Sequence, residues 1–298
     1  MFRTEPATCA CGSNVRLRAL IHLLSLELFG QSLPLIDFPK LKAIRGLGMS
    51  DHTGYAAILA DKFDYTNTFY DREPRFDFTE EHPRQYGAYD FVLSADVIEH
   101  IAPPIDRALD EVCRLLKPNG FFGLTIYCNP HDCMREHFPE LHEFRVVPLG
   151  DREVLINRRA DGSLEIRDDL VFHGGSGATL EMREFGISEL QSKLLAAGFL
   201  SVHFLSENIS DIGVLFDADV SQPLVARKQP FTMDRCAIAQ LVNAWRAAAD
   251  EIAAAGESAL RAEALAGDLK AQMRFASQSR WLRLGRSLGI GPKFVIPE

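Results

Sequence analysis

The stretch that decides the fold is YDFVLSADVIEHIAPPIDRALDEVCRLLKPNGFFGLTIY, residues 89–127. An apolar run ends in Ser-Ala-Asp, a segment with helical spacing follows, and a second apolar run begins at Phe121. Strands that alternate with helices predict a parallel sheet with crossover helices. Ligands bind such sheets beyond the carboxyl ends of the strands. The polar residues after the first run, Asp96, Glu99 and His100, are therefore candidate site residues.

The same alternation extends to both sides of this stretch. Upstream, KAIRGLG and DYTNTFY are predicted strands on either side of the predicted helix HTGYAAILADKF. Downstream, the helix ISELQSKLLAAGF ends at Gly198, a typical C-cap glycine, and strands follow near SVHFLSE and QPLVARK. Residues 40–230 therefore form an α/β domain with a doubly wound, mostly parallel sheet.

Residues 143–185 interrupt this pattern. An Asp161-Gly162 pair between two strand-like runs predicts a β-hairpin insertion, which we expect over one edge of the sheet. Residues 1–39 contain one amphipathic helix, over 13–30. Residues 231–298 are Ala-rich and predict a helical C-terminal extension of one or two helices. Its glycines and uneven apolar spacing argue against a long regular coiled coil.

Composition limits the function classes. Of 298 residues, 47% are hydrophobic and 24% charged, as in ordinary globular proteins, and the net charge of −9 argues against a nucleic-acid-binding surface. No apolar run is long enough to span a membrane. The six cysteines match no disulfide framework, which favours a reducing, cytoplasmic location. Cys9 and Cys11 resemble half of a zinc ribbon, but no second pair follows.

Two further strand ends carry candidate ligand-binding residues. In IRGLGMSDHTG, Gly46 and Gly48 let the backbone approach a ligand, although Ser50 replaces the third glycine of a dinucleotide fingerprint. Asn67 lies near the end of the second strand, where an acid usually binds ribose hydroxyls. Asp77 could accept a hydrogen bond from an adenine amino group, and Phe78 could stack on the ring.

Residues 89–127 resemble class I S-adenosylmethionine-dependent methyltransferases. In that family a buried strand ends at the cofactor, an Asp-x-x-Glu-His segment follows, and an RLLKPNG turn leads to the next strand. The residues that carry the resemblance are Asp90, Asp96, Glu99, His100, Glu111, Arg114, Leu116, Lys117, Pro118 and Gly120. The resemblance covers residues 40–128 well and 186–228 more loosely. It implies a Rossmann-like fold and S-adenosyl-L-methionine as cofactor.

The resemblance gives the strand-end residues roles in binding the cofactor. The implied cofactor-binding residues are Gly46, Gly48, Ser50, Asn67, Asp77, Phe78, Ser94 and Glu99. Two departures from the family pattern remove charge from this site: no acid stands two positions before Gly46, and Asn67 replaces an acid. A protein that has lost cofactor binding is therefore an open alternative.

Four histidines are candidate general bases for a hydroxyl acceptor: His100, His131, His142 and His173. We assign the catalytic role to His100, His142 and His173. The segment HDCMREHFPELH also contains several residue types that bind metals. Its His137 and His142 are five positions apart, which does not place both on one helical face, so no metal site is predicted.

The leading hypothesis is a methyltransferase that acts on a hydroxyl of a sugar or another small metabolite, with the insertion over the acceptor. The competing hypothesis is a non-catalytic scaffold, and an NAD-dependent enzyme leaves RLLKPNG unexplained. The basic, apolar end SRWLRLGRSLGIGPKF could contact an acidic protein or a membrane surface, or pack in a homo-oligomer. This end also resembles those of enzymes that modify bacterial surface glycans. No nucleic-acid partner is expected.

Overall fold

The computed structural model describes residues 12–129, 132–173, 179–216, 221–229 and 235–277. The chain divides into two compact units, Met1–Arg235 and Cys236–Glu298. Cys9, Cys11, His131 and the basic C-terminal end lie outside the described residues.

The described residues of the first unit form four α-helices and a six-stranded sheet with short additional strands. The helices are α1 Val15–Phe29, α2 Thr53–Lys62, α3 Ile105–Leu115 and α4 Ile187–Ala196. The first strands are β1 Arg45–Met49, β2 Asp64–Thr68, β3 Tyr89–Ala95, β4 Leu116–Ile126 and β5 Arg135–Glu136. Those of the insertion are β6 Glu143–Leu149, β7 Arg152–Arg158, β8 Leu164–Arg167, β9 Phe172–His173, β10 Thr179–Leu180 and β11 Arg183–Glu184. The last two are β12 Ser201–Phe204 and β13 Gln222–Arg227.

The strand order of the large sheet is β12-β13-β4-β3-β1-β2. Strands β2, β1, β3 and β4 are parallel, and β13 runs antiparallel to both β4 and β12. This confirms the mostly parallel, Rossmann-like sheet expected from the sequence. The connection from β2 to β3 departs from the predicted alternation, because residues 69–88 contain only the 3-10 turn Pro83–Gln85 and no α-helix.

Helices cover both faces of the sheet. On one face, apolar side chains of the strands form a common core with α3 and α4; its members include Leu47, Val92, Phe122, Leu109 and Leu190. Burying each such side chain stabilises the fold by about 1.5–3 kcal/mol. On the opposite face α1 contacts β13, β4 and β3, with Leu23 beside Gly123 of β4, and α2 contacts β2.

Helix α1 is fixed at both of its ends. The Asn14 side chain accepts a hydrogen bond from the backbone N–H of Leu17 at 2.9 Å, and Gly30 follows the helix with φ 69°. Arg227 of β13 donates to both carboxylate oxygens of Glu27, at 2.7 and 2.5 Å. The helix predicted over residues 13–30 is confirmed, and its buried residues include polar ones as well as leucines.

The insertion contains a three-stranded antiparallel sheet, β6-β7-β8. The predicted turn at Asp161-Gly162 joins β7 to β8, and Gly162 adopts φ 86°, which glycine tolerates best. The sequence analysis missed β6. One face of this sheet packs Leu155 into a small core with Phe138, Leu180 and Met182.

The described residues of the second unit form one long helix, α5, Arg235–Ser277. It is continuous over 43 residues, where the sequence predicts one or two helices. Among the described residues, no helix is long and apolar enough to cross a membrane.

Candidate active site

The predicted site lies at the carboxyl ends of β1, β2 and β3. The register pairs Met49 with both Thr68 and Ser94, so these three strands end side by side. Ser50 follows Met49 with φ 56°, and its N–H donates to Thr68 O at 2.7 Å. The chain therefore turns sharply after β1 and brings Asp51 against β2.

The two glycines of the expected loop lie within β1 instead, which corrects the prediction of a glycine loop. A Cβ at Gly46 would lie 2.2 Å from Cζ of Phe91, and one at Gly48 would lie 2.0 Å from the Tyr65 hydroxyl. Both positions must be glycine because aromatic side chains of the neighbouring strands fill the space above them. Contact of either glycine with a cofactor stays a prediction.

Asn67 uses both ends of its amide to hold the turn after β1. Its Oδ1 accepts from Asp51 N–H and its Nδ2 donates to Asp51 O, each at 2.8 Å. An ionised aspartate could accept the first hydrogen bond but could not donate the second. This gives a structural reason for asparagine where the family commonly has an acid, and ribose binding by Asn67 stays a prediction.

Asp51 is a buried acid at this site that the sequence analysis missed. It is 2% exposed, and the Tyr65 hydroxyl donates to its Oδ2. Burial raises the pKa of Asp51 to about 6, although hydrogen bonding to the Tyr55 and Tyr65 hydroxyls opposes the shift. The family commonly has an acid two positions before the first glycine, and this chain has none there. Asp51, three positions after Gly48, is the acid that lies beside this strand instead.

Asp96 connects four elements at the end of β3. It adopts φ 51°, and its carboxylate accepts hydrogen bonds from Thr125 of β4 and from Ser221, each at 3.0 Å. Arg16 of α1 forms an ion pair with the same carboxylate. The N-terminal helix therefore contributes a cation to the site, which the sequence did not reveal.

Glu99 and His100 lie in a 3-10 turn, Ile98–His100, directly after β3. Burial raises the pKa of Glu99 well above its usual range, and the carboxylates of Asp96 and Glu181 raise it further. His100 Nδ1 lies 2.8 Å from Leu180 O. Because a carbonyl only accepts, the neutral ring carries its proton on Nδ1 and its lone pair on Nε2.

Arg183 of β11 holds this turn in place and was also missed. Its guanidinium is fully buried and donates from Nη1 to Ile98 O at 2.9 Å and to Ile101 O at 2.6 Å. Its Nε donates to Glu136 at 2.8 Å. Met182 N–H also donates to Glu99 O at 2.9 Å. The insertion is thus attached to the turn that carries Glu99 and His100.

Ser94 and the Asp77 segment differ in how their polar atoms are used. Ser94 is fully buried, and its hydroxyl has no hydrogen-bond partner among the described residues. Asp77 Oδ1 accepts from the N–H and the hydroxyl of Thr79, at 2.9 and 2.7 Å. Phe78 is 6% exposed and packs on Phe76 in the main core, so its ring contributes to the core. Adenine binding by this pair stays a prediction.

The remote histidines do not join Glu99 and His100 in the described structure. His142 is exposed directly before β6, and its backbone N–H donates to Asn157 of the insertion. The backbone of His173 pairs with Thr179 in the β9-β10 ladder, but its side chain lies outside the described residues. Of the three predicted catalytic histidines, the geometry supports His100 best.

Comparison with known proteins identifies the central domain. Residues 71–124 match the family model described as a methyltransferase domain. The ubiquinone/menaquinone biosynthesis C-methyltransferase UbiE of Rickettsia bellii is 27% identical over 124 residues, which are 42% of this chain and 49% of that protein. These similarities support the class I methyltransferase family for the central domain. The chain spans about half the length of the curated relatives it matches.

Solved structures to which this chain is similar include DesVI and KedS8. DesVI of Streptomyces venezuelae has a TM-score of 0.40 and 12% identity, over 72% of this chain and 92% of that one. The sugar N-methyltransferase KedS8 of Streptoalloteichus sp. has a TM-score of 0.39 and 13% identity, over 72% and 88%.

Proposed function

We propose that this protein transfers a methyl group from S-adenosyl-L-methionine to a hydroxyl of a sugar or another small metabolite. The methyltransferase-family match supports the cofactor. A relative named for ubiquinone and menaquinone biosynthesis supports a small-molecule acceptor. The choice of a sugar, and of surface-glycan biosynthesis, rests on the resemblance of the C-terminal end described above.

Buried polar atoms at the strand ends carry this proposal. Ser94 Oγ and Asp51 Oδ1 are buried, and within the described residues neither has a hydrogen-bond partner. Leaving such a group unpaired costs about 1–3 kcal/mol. The ribose hydroxyls and the ammonium group of the cofactor are donors of the kind that these oxygens lack. The residues present therefore fit the cofactor.

The bound cofactor would supply an electrophilic methyl group on a sulfonium, and the chain would align the acceptor and remove its proton. His100 has the suitable tautomer, since Nδ1 donates to Leu180 O and Nε2 carries the lone pair. The raised pKa of Glu99 favours its protonated form, which can donate a hydrogen bond. Arg183 would act by holding the 3-10 turn of both residues.

Calorimetric titration with S-adenosylhomocysteine tests the cofactor site. Ser94→Ala should weaken binding about tenfold, since one hydrogen bond is worth about 1.4 kcal/mol there. The same variant should unfold at equal or higher denaturant concentration, because it removes an unpaired buried hydroxyl. Ser25→Ala is the matched control, since Ser25 Oγ donates to Gln31 O at 2.6 Å and accepts from Leu33 N–H at 2.9 Å. It should lower stability and leave affinity unchanged.

The scaffold alternative has one observation in its favour. The Tyr65 hydroxyl and the Asp51 carboxylate fill the space beside Gly48 that a ligand would otherwise approach. If the folded wild-type protein does not bind S-adenosylhomocysteine, the methyltransferase proposal is wrong and the scaffold alternative is favoured. Methyl transfer only to protein or nucleic acid, in a screen that includes nucleotide sugars, would overturn the acceptor class.

A further inference from the structure

Three side chains with metal-binding atoms converge where the end of the insertion packs against the segment after β5. One ligand atom from each of His137, Glu181 and Glu184 lies within 4.8 Å of the other two. His137 Nε2 is 3.0 Å from Glu181 Oε1. Two ligand atoms on one transition-metal ion, each about 2.1 Å from it, are separated by about 3–3.5 Å. His137 and Glu181 already have this spacing. The ligand atom of Glu184 lies within 4.8 Å of both, so a small movement of its side chain would bring it to the same spacing.

The backbone fixes these three positions relative to one another. Glu136 and Arg183 are paired in the antiparallel β5-β11 ladder, and His137 N–H donates to Met182 O at 2.9 Å. Glu181 N–H donates to Val171 O at 2.8 Å. The ligands thus lie on two hydrogen-bonded segments, 44 residues apart between His137 and Glu181. This separation explains why the sequence analysis paired His137 with His142 instead.

The charges around the three side chains favour a cation. The Glu181 side chain is 2% exposed, and a second carboxylate, that of Glu184, is within the same cluster. Glu184 is half-exposed, and two carboxylates this close repel each other unless a positive charge lies between them. Arg183, the neighbour of Glu184, directs its Nε to Glu136 and its Nη1 to backbone carbonyls.

We propose that His137, Glu181 and Glu184 bind a divalent transition-metal ion that prefers nitrogen and oxygen ligands, such as Mn²⁺. Three protein ligands leave coordination positions for water or for an oxygen of another molecule. The site adjoins the 3-10 turn of Glu99, because Met182 N–H donates to Glu99 O. An oxygen atom of the acceptor would then bind at an open coordination position of the metal ion. That role rests on the proposed function, whereas metal binding itself does not.

Titration of the chelator-treated full-length protein with MnCl₂, followed by calorimetry and by the electron paramagnetic resonance signal of Mn²⁺, tests this site. Manganese is the probe because it binds thiolates weakly, so the free cysteines do not compete. We expect one equivalent to bind with a dissociation constant on the order of micromolar. His137→Ala and Glu184→Gln should each weaken binding at least tenfold.

His142→Ala is the matched control, since it removes an exposed histidine that, like His137, lies between β5 and β6 but is not in the cluster. It should bind Mn²⁺ like the wild type. If circular dichroism shows that His137→Ala is unfolded, Glu184→Gln still tests metal binding, because Glu184 is half-exposed and its substitution is compatible with folding. Absence of saturable binding, or equal binding by Glu184→Gln and wild type, overturns the inference. A protein that binds S-adenosylhomocysteine but no Mn²⁺ refutes only the metal site, and the opposite result refutes only the proposed function.

Discussion

Asp51 combines a structural role with the role in cofactor binding that we propose for it. Its backbone is held by both ends of the Asn67 amide, and its carboxylate is buried beside Tyr65 and the Cα of Gly48. The sequence places it in SDHTG, where it looks like an ordinary residue before a helix. Burial by β2 is what makes it unusual, and burial by a neighbouring strand cannot be inferred from local spacing.

Asp51 should make stability depend on pH. Its folded-state pKa of about 6 exceeds the ordinary value of 3.8, so the folded protein binds the proton more tightly than the unfolded chain. Stability must therefore fall as pH rises from about 4 to about 6. Asp51→Asn removes this loss, so the variant should gain about 2 kcal/mol relative to wild type between pH 4 and 7 in urea unfolding.

The control for this experiment is Asp161→Asn. Asp161 is exposed, and hydrogen bonds from Ser163 lower its pKa, so its substitution should not give the gain expected at Asp51. A stability difference between Asp51→Asn and wild type that stays constant over this pH range would show that Asp51 ionises like an ordinary surface acid.

At the scale of the element, β1 depends on having no side chains at two positions of one face. Phe91 is fully buried and is surrounded by the rings of Phe63, Tyr65 and Phe121, with centroids 5.8–6.0 Å away. Its ring cannot move away from a Cβ at Gly46 without displacing these neighbours. Gly46→Ala should lower the free energy of unfolding by about 1–3 kcal/mol.

Gly256→Ala is the matched control for Gly46→Ala in urea unfolding. Gly256 lies in α5, and a Cβ there meets nothing within 4 Å, so alanine should be neutral or stabilising by up to about 1 kcal/mol. The double variant Gly46→Ala/Phe91→Leu should recover part of the loss, because leucine vacates the position of the ring edge. If Gly46→Ala is as stable as wild type, β1 does not need glycine for packing.

The sequence predicted the order and type of the main elements well, because alternation and helix ends are local signals. It predicted α1, α2, β3 and the β7-β8 turn from such signals. The position of the two glycines was wrong because a Gly-x-Gly spacing is the same in a loop and on one face of a strand. A loop and a strand can be told apart here only by the packing of Phe91 and Tyr65 against the two glycines, and both residues come from neighbouring strands.

Only part of the candidate site could be predicted from the sequence. Ser94, Glu99 and His100 follow from the rule that ligands bind at strand ends. Arg16 and Arg183 do not, because they reach the site from α1 and from the insertion, more than 75 residues from Asp96 and Ile98 respectively. Such long-range contacts require the tertiary structure.

At the scale of the whole molecule, α5 carries an apolar stripe with a regular period. From Trp245 to Leu269 every residue at alternating spacings of three and four is Trp, Ile, Leu or Ala; they are Trp245, Ala248, Ile252, Ala255, Ala259, Ala262, Ala266 and Leu269. Gly256 and Gly267 lie off this stripe. The residues at this spacing therefore favour a coiled coil, against which the glycines and the uneven spacing of the other apolar residues argued.

We expect this stripe to pair with the same stripe of a second copy of the chain. Ile252 is 74% exposed and Trp245 is 44% exposed, on a helix about 65 Å long. A helix with such exposed side chains is stabilised when a partner covers them. Ile252→Glu places a charge on the stripe and should convert a dimer to a monomer in light scattering coupled to gel filtration.

Leu260→Glu is the control that separates the stripe from general hydrophobicity. Leu260 is 68% exposed, close to the value for Ile252, but it lies outside the repeat. Its substitution should leave the dimer intact, since it does not enter a paired helix interface. A monomeric wild type would refute pairing altogether. Dissociation by both variants alike would show that α5 associates through unspecific apolar contacts, without the register that the heptad spacing requires.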